Sequence, residues 1–308
     1  MPAMELGELS RIGRRAAISI LGLGLILTST ARADDPVGLK LRFQAGQTLR
    51  YNFQQKNSIK VKANGQDTTN ASDLVIEFHW TIKSVDAEGT AEVVQTLDRV
   101  SVALTVGAKT YKLDTREPAA KDDPVAKPLS QVYRAALAAE TTFKLSPRGE
   151  LRDVVIASSV TEALRGSPFE ASADGGSVFT PLGIKNMFAQ VLPILPKAPV
   201  PVGNAWTQEI ELPTGLLLVR LKGSPKLIRP GPKAEIESNL SMSLAANPGV
   251  QATIELKSQK GTGRYVLDTE AGRLVEASLN QSVELTLSLG KASLDQSSQA
   301  TTTMKLVP

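Results

Sequence analysis

The stretch Val275-Glu276-Ala277-Ser278-Leu279-Asn280-Gln281-Ser282-Val283-Glu284-Leu285-Thr286-Leu287-Ser288-Leu289 decides the fold. Its odd-numbered residues are apolar apart from Gln281, and its even-numbered ones are Glu, Ser, Asn and Thr throughout. Period two marks a strand with one dry face and one wet one. Fifteen residues at about 3.3 Å each give a strand of about 50 Å, well above the usual five or six residues or so. Strands this long with a single apolar face belong to a large, curved antiparallel sheet or an incomplete barrel. The prediction is a mainly β fold with a few helices.

The same grammar extends outward. Tyr51, Phe53, Ile59 and Val61 share one parity while Asn52, Gln54, Lys56, Ser58 and Lys60 take the other. Asn64-Gly65 then signals a hairpin, because both turn residues must accept positive φ. The return strand carries Leu74, Ile76, Phe78, Trp80 and Ile82 on one face, and strands over 90–106 and 109–114 complete a meander. The middle of the chain changes character. A Pro/Lys/Asp stretch over 117–128 reads as a linker, 129–140 and 158–165 as short helices, and 143–151 as a hairpin turning at Pro147 and Gly149. Residues 166–180, rich in Gly, Ser, Ala and acids, read as a mobile segment. Pro181 opens a helix with Ile184, Met187, Phe188, Val191 and Leu192 on one face, and Pro193 and Pro196 end it. Leu216 to Val219 is apolar on both parities and predicts a strand covered on both faces.

The first 33 residues read differently. Arg11, Arg14 and Arg15 precede an apolar run from Ala16 to Leu27, and Ala31-Arg32-Ala33 is the small-x-small pattern of a signal-peptidase site. About a dozen apolar residues are too few to span roughly 30 Å of hydrocarbon. The expectation is an exported protein, periplasmic or secreted and not membrane-spanning, with four segments. These are a signal peptide over 1–33, an N-terminal antiparallel β region over 34–116, a linker, hairpin and helical segment over 117–198, and a C-terminal antiparallel β region over 199–308. The last three are expected to co-fold.

Composition narrows the function. Of the formal charge of +4, the first 33 residues carry four arginines and two glutamates, so the rest is near neutral and lacks a basic cluster. Nucleic acid, which needs several cations aimed at phosphates, is excluded as a partner. The chain has no cysteine and one histidine, too few ligands for a transition-metal site, and no cofactor is expected. Only 4% of residues are aromatic, against the girdles of an outer-membrane barrel.

The two β regions echo each other. Phe43-x-x-Gly46-x-x-Leu49-x-Tyr51 opens one and Val200-x-x-Gly203-x-x-Trp206 the other, and each later holds an acidic glycine turn, Asp86–Gly89 and Asp268–Gly272. Two related β halves joined by the helical middle segment, or the ordinary recurrence of strand and turn in a large sheet, both account for the echo. With Val85-Asp86-x-Glu88-Gly89-Thr90-Ala91, Gln95, Asp98-Arg99-Val100, Leu145-Ser146-Pro147-x-Gly149 and Gly261-x-Gly263-x-Tyr265-x-Leu267-Asp268, these openings resemble an uncharacterised family of exported bacterial β-rich proteins, a domain of unknown function. The resemblance runs through nearly all of residues 34–308 and implies no activity and no site residues. The plan is also similar to lipoprotein-carrier half-barrels, a curved sheet closed by helices.

Catalytic residues are not expected. His79 lies on the polar parity with Glu77 and Thr81; Glu77 could orient it, but no elbow motif presents a nucleophile. Asp86/Glu88 and Asp268/Glu270 supply too few oxygens for calcium and read as turn chemistry. Ser288-x-x-Lys291 lacks its companion motifs, and Gly261-x-Gly263 precedes a strand where a phosphate site needs a helix. Trp80 and Trp206 read as core anchors. The surface worth following is the 181–192 helix. If it crosses the open side of a curved sheet, Ile184, Met187, Phe188 and Leu192 contact a lipid or other apolar ligand there; if it seals the core, they pack against the sheet. The sequence therefore supports non-catalytic binding of an apolar ligand or an envelope protein, with a solid-core structural protein as the alternative and a hydrolase built on His79 as the third class.

Overall fold

The computed structural model describes residues 35–63, 65–118, 126–165, 167, 179–213, 217–247, 252–289 and 292–308. The expected signal peptide, Asn64, Gly290-Lys291, most of the 117–128 linker's core and nearly all of the segment read as mobile lie outside them. Alternation carries each early strand beyond its most regular stretch. β1 (Thr48–Ala63) pairs β2 (Gln66–Val85) from Thr48–Thr81 to Ala63–Gln66, and β3 (Ala91–Val106) continues the meander. The outer edge of β3 is shared. β4 (Lys109–Asp114) takes its second half and β5 (Glu140–Leu145) its first, with helix α1 (Ala126–Leu137) between them in the chain. β6 (Leu151–Ile156) then pairs β5, and α2 (Ser158–Leu164) and α3 (Pro181–Val191) follow.

The chain next forms a second meander, β7 (Gln208–Pro213), β8 (Leu217–Arg229), β9 (Lys233–Ala246), β10 (Thr253–Asp268), β11 (Arg273–Leu289) and β12 (Ala292–Val307). β12 returns to the starting strand and pairs β1 from Arg50–Val307 to Ala63–Leu294. The result is one antiparallel sheet of 12 strands, ordered β6-β5-β3-β2-β1-β12-β11-β10-β9-β8-β7 with β4 on β3. It does not close: β6 and β7 are its two ends. This is the predicted curved sheet or incomplete barrel. The Gly46 and Gly203 openings also share a geometry. Gly46 N–H donates to Ile82 carbonyl and Gly203 N–H to Leu227 carbonyl, both glycines at positive φ. The two acidic turns, by contrast, fall after the second and the fourth strand of their meanders.

The core fills the concave side of one half of the sheet. Phe53, Ile76, Phe78, Trp80, Ile82, Val93 and Phe143 point inward from β1, β2, β3 and β5, and Ile236, Tyr265, Leu267, Ala277 and Met304 from β9 to β12. α3 lies over this face, packing on β6, β11 and β12, so a central strand pair and one sheet edge touch the same helix and the sheet curves around it. Residues 37–42 strap the end of the barrel. Val37 bridges Val200, Leu41 N–H donates to Pro147 carbonyl, and Arg42 N–H donates to Gly272 carbonyl. Gly272 has φ 64°, and a Cβ there would meet Arg42 at 2.5 Å. The far half of the long strands carries a second cluster, Val283, Leu285 and Leu287 with Met242, Leu244 and Ile254 around them. Of the 216–219 stretch expected to be covered on both faces, Leu216 and the Leu217 side chain lie outside the described residues, and Leu218 and Val219, on opposite faces of β8, are each only half-buried, so neither face is fully covered there.

Candidate functional site

α3 is set by local chemistry. Thr180 caps it, its hydroxyl accepting from Gly183 N–H at 3.0 Å, and Pro181 occupies the first turn, where its missing N–H costs nothing. Ile184, Met187, Phe188 and Val191 recur at i, i+3, i+4 and i+7 and are all buried. Leu192 N–H donates to Phe188 carbonyl, and Pro193 stops the helix. Phe188 is fully buried, with ring centroids of Trp80, Phe78 and Phe143 at 5.3, 5.8 and 5.9 Å. Trp80 is the anchor of this aromatic cluster, and its indole N–H donates to the buried Gln95 amide at 3.0 Å.

The four candidate contact residues fall on two sides of the helix. Ile184 and Met187 face a cavity of about 30 Å³ beneath α1, α2 and β3, also lined by Gln95, Tyr133, Thr141 and Phe179. That is room for about one water. Burial pushes the Tyr133 hydroxyl pKa well up, so it stays a neutral polar group in this cavity. Phe188 and Leu192 instead line a groove of about 250 Å³ on the other side of α3. The space under the helix is thus occupied by side chains, and the larger apolar space lies beside it.

The groove exists because the sheet is not closed. Its floor is α3, through Leu182, Ala189 and Leu192; one wall is the turn into β6, Gly149 to Leu151; the other is the edge of β7, Glu209 to Leu212. One end is stitched shut by the segment after α3. Leu195 N–H donates to Arg148 carbonyl and Arg148 Nε donates to Leu195 carbonyl at 2.8 Å, while Ile194 N–H donates to the Gln208 side chain and Trp206 Nε1 to Ile194 carbonyl at 2.8 Å. The Trp206 indole therefore clamps the seam. Gly149 permits the close approach, since a Cβ there would lie 2.7 Å from Pro193 carbonyl oxygen. The rim carries charge. Glu150 pairs with Arg148 and Arg152, and Glu211 with Arg220, whereas Lys185 and Glu209 form no ion pair among the described residues.

The opposite, convex face holds the titratable clusters. His79 Nδ1 lies 2.9 and 3.0 Å from the two oxygens of Asp98, and Arg50 lies 3.9 Å from the same carboxylate. Asp98, not Glu77, thus holds the histidine. Asp98 is the extra residue of a β-bulge in the β2–β3 ladder, which aims its side chain across at His79. Glu77 instead bridges Arg99 at 2.9 Å and Arg116 at 2.7 Å, and Arg99 also binds Asp114. The Arg99 guanidinium and the Arg116 backbone N–H hold the Asp114 carboxyl down at about 2. Among the described residues, no group of three or more acids and histidines is placed to hold a metal ion, and no helix is long and apolar enough to cross a membrane.

No family model and no curated protein matches the chain. Among solved structures it is similar to lipovitellin, from a study of lipid–protein interactions, at 13% identity and a TM-score of 0.48 over 87% of this chain. It spans about a quarter (26%) of that chain. An outer membrane channel from Pseudomonas putida F1 gives 10% identity and a TM-score of 0.26, covering 89% of this chain and 99% of that one. A DUF1329 family protein from Desulfovibrio piger gives 8% identity and a TM-score of 0.14, covering 81% and 83%. Likeness at these values assigns neither a family nor a function.

Proposed function

We propose that this is an exported, non-catalytic binding protein of the uncharacterised β-rich family that its motifs resemble. Its site is the groove along α3 where the sheet is left open, and the part of the partner buried there is apolar. One observation carries the reading: about 250 Å³ of space floored by Leu182, Ala189 and Leu192 and walled by two sheet edges. Apolar space with a few polar groups at its rim is the usual form of a binding site. Apolar area gains roughly 25 cal/mol per Å² on leaving water, which favours an occupant that covers this floor. The non-catalytic part rests on the sequence, in which no elbow motif presents a nucleophile to His79; the histidine pairs with Asp98 on the convex face, away from the groove.

The test has two arms. Protein purified from its own source is extracted with organic solvent and the extract analysed by mass spectrometry, and the purified protein is titrated with 1-anilinonaphthalene-8-sulfonate. Ala189→Trp, at a half-buried floor position, fills the groove and is expected to abolish dye fluorescence without lowering the unfolding midpoint. Unchanged dye binding in that variant would move the site elsewhere. An empty extract together with no dye binding to the parent protein would leave the solid-core structural reading in its place.

A further inference from the structure

We propose that β7 is an acceptor edge, which takes an extended segment of another protein as an added strand whose residues alternate basic and apolar. The inference rests on the groove being the binding site and names the class of its occupant. β7 pairs β8 from Gln208–Gly223 to Pro213–Leu218 without a register shift, and no described strand lies on its other side. From Gln208 to Leu212 its outward amides and carbonyls are therefore a regular row, unpaired among the described residues, up to Pro213, which has no N–H; sheets usually blunt such a row with a bulge, a kink or a cover. The other sheet end is blunted in this way. β6 carries Asp153 at φ 51° and a register shift against β5, so it offers no such row.

The groove's shape fits a strand. Consecutive residues of β7, Glu209 through Leu212, line it, so both side-chain parities and the backbone edge between them border the space. An acyl chain would cover the apolar floor of α3 but leave the β7 backbone groups unpaired; an added strand satisfies both.

The charge pattern names the sequence of that strand. Glu209 and Glu211 are exposed on one face of β7, and Ile210 and Leu212 turn inward. On β8 the residues opposite these acids are Lys222 and Arg220, with Arg220 2.7 Å from Glu211. A strand on the free side faces the same two acids, and opposite charges directly across a ladder stabilise while like charges repel. A second copy of this chain pairing β7 to β7 would set glutamates against glutamates, which disfavours self-association through this edge. The remaining solution is a foreign segment with lysine or arginine at alternate positions and apolar residues between them.

The probes are fluorescein-labelled eight-residue peptides, acetylated and amidated, alternating lysine with valine or glutamate with valine. Two further lysine–valine peptides carry N-methyl groups on every second amide, one in each phase. Anisotropy titration of the purified protein should show the lysine peptide at least tenfold tighter than the glutamate peptide, with at least one N-methylated phase losing binding. Glu209→Lys with Glu211→Lys should reverse the charge preference, and Glu209→Gln with Glu211→Gln should flatten it; circular dichroism identifies whichever of the pair is folded for this comparison. Equal affinity for the two charge types, full binding by both N-methylated peptides, or no peptide binding at all would each overturn the inference. If Ala189→Trp abolishes dye binding while no peptide binds, the groove remains the site and strand addition falls.

Discussion

Phe188→Ala removes the largest side chain that α3 drives into the sheet. The ring is fully buried and lies within 6 Å of three aromatic rings carried by β2 and β5. Truncating a buried phenylalanine costs about 3–5 kcal/mol through lost transfer energy and the cavity left behind. The upper part of that range applies here, because Phe78, Trp80 and Phe143 sit on ladder-bonded strands that cannot collapse inward. Each lost aromatic pair adds about 0.5–1.5 kcal/mol beyond area, partly counted in the same figure. About 4–5 kcal/mol corresponds to a fall of about 8–20 °C in Tm for a chain of this size. Guanidinium titration followed by tryptophan fluorescence measures the change, since Trp80 touches the substituted site. Lys185→Ala, exposed on the same helix, is the control and should stay within about 0.5 kcal/mol. A loss below about 1 kcal/mol in Phe188→Ala would refute the packing argument and mean that α3 does not seal the core.

Gln95→Leu should cost about 1–3 kcal/mol, because it leaves the Trp80 indole N–H buried without its acceptor; an unchanged denaturation midpoint would count against that bond. Gly272→Ala should lower stability by more than about 1 kcal/mol, since φ is positive and the new Cβ meets Arg42, and a thermal melt superimposable on the parent's would contradict it. Asp114→Asn tests the convex-face network through pH. The folded carboxyl titrates at about 2, below its unfolded value near 3.8, so its contribution is complete above about pH 4 and is lost as pH falls through 2. The stability gap between parent and variant should close over that window, and a gap constant from pH 6 to pH 2 would rule the carboxylate out as its source. His79→Ala removes a cross-strand pair worth about 0.2–1 kcal/mol and should leave the circular dichroism spectrum unchanged; loss of a binding activity with that spectrum intact would return the histidine to the functional site.

Much of the architecture is local and was therefore legible. Alternation in 275–289 becomes β11, whose Ala277, Leu279, Val283, Leu285 and Leu287 are buried as the pattern requires. Pro181 and Pro193 mark the ends of α3 because proline restricts only its own neighbourhood. Parity also held a signal that alternation alone does not resolve. In β3 the buried residues are Ala91, Val93 and Gln95 and then Val100, and the slip of parity is the bulge that turns Asp98 toward His79. Gln95 belongs to the motifs of the resemblance but its role is not legible there, as nothing local says that a glutamine on the dry parity will find an indole N–H.

What the sequence determined by itself is what depends on neighbours along the chain: which segments are strands, which face of each is dry, and where α3 starts and stops. Only the tertiary structure decided which strands meet. β12 joins β1 from the far end of the chain, and that pairing leaves β6 and β7 as the free ends. Backbone hydrogen bonds are the same for every antiparallel partner, so strand order follows from the packing of the whole sheet around α3 and not from any local motif. The groove lies at that gap, and its acids and apolar floor come from segments that acquire a common meaning only once the edges face the helix.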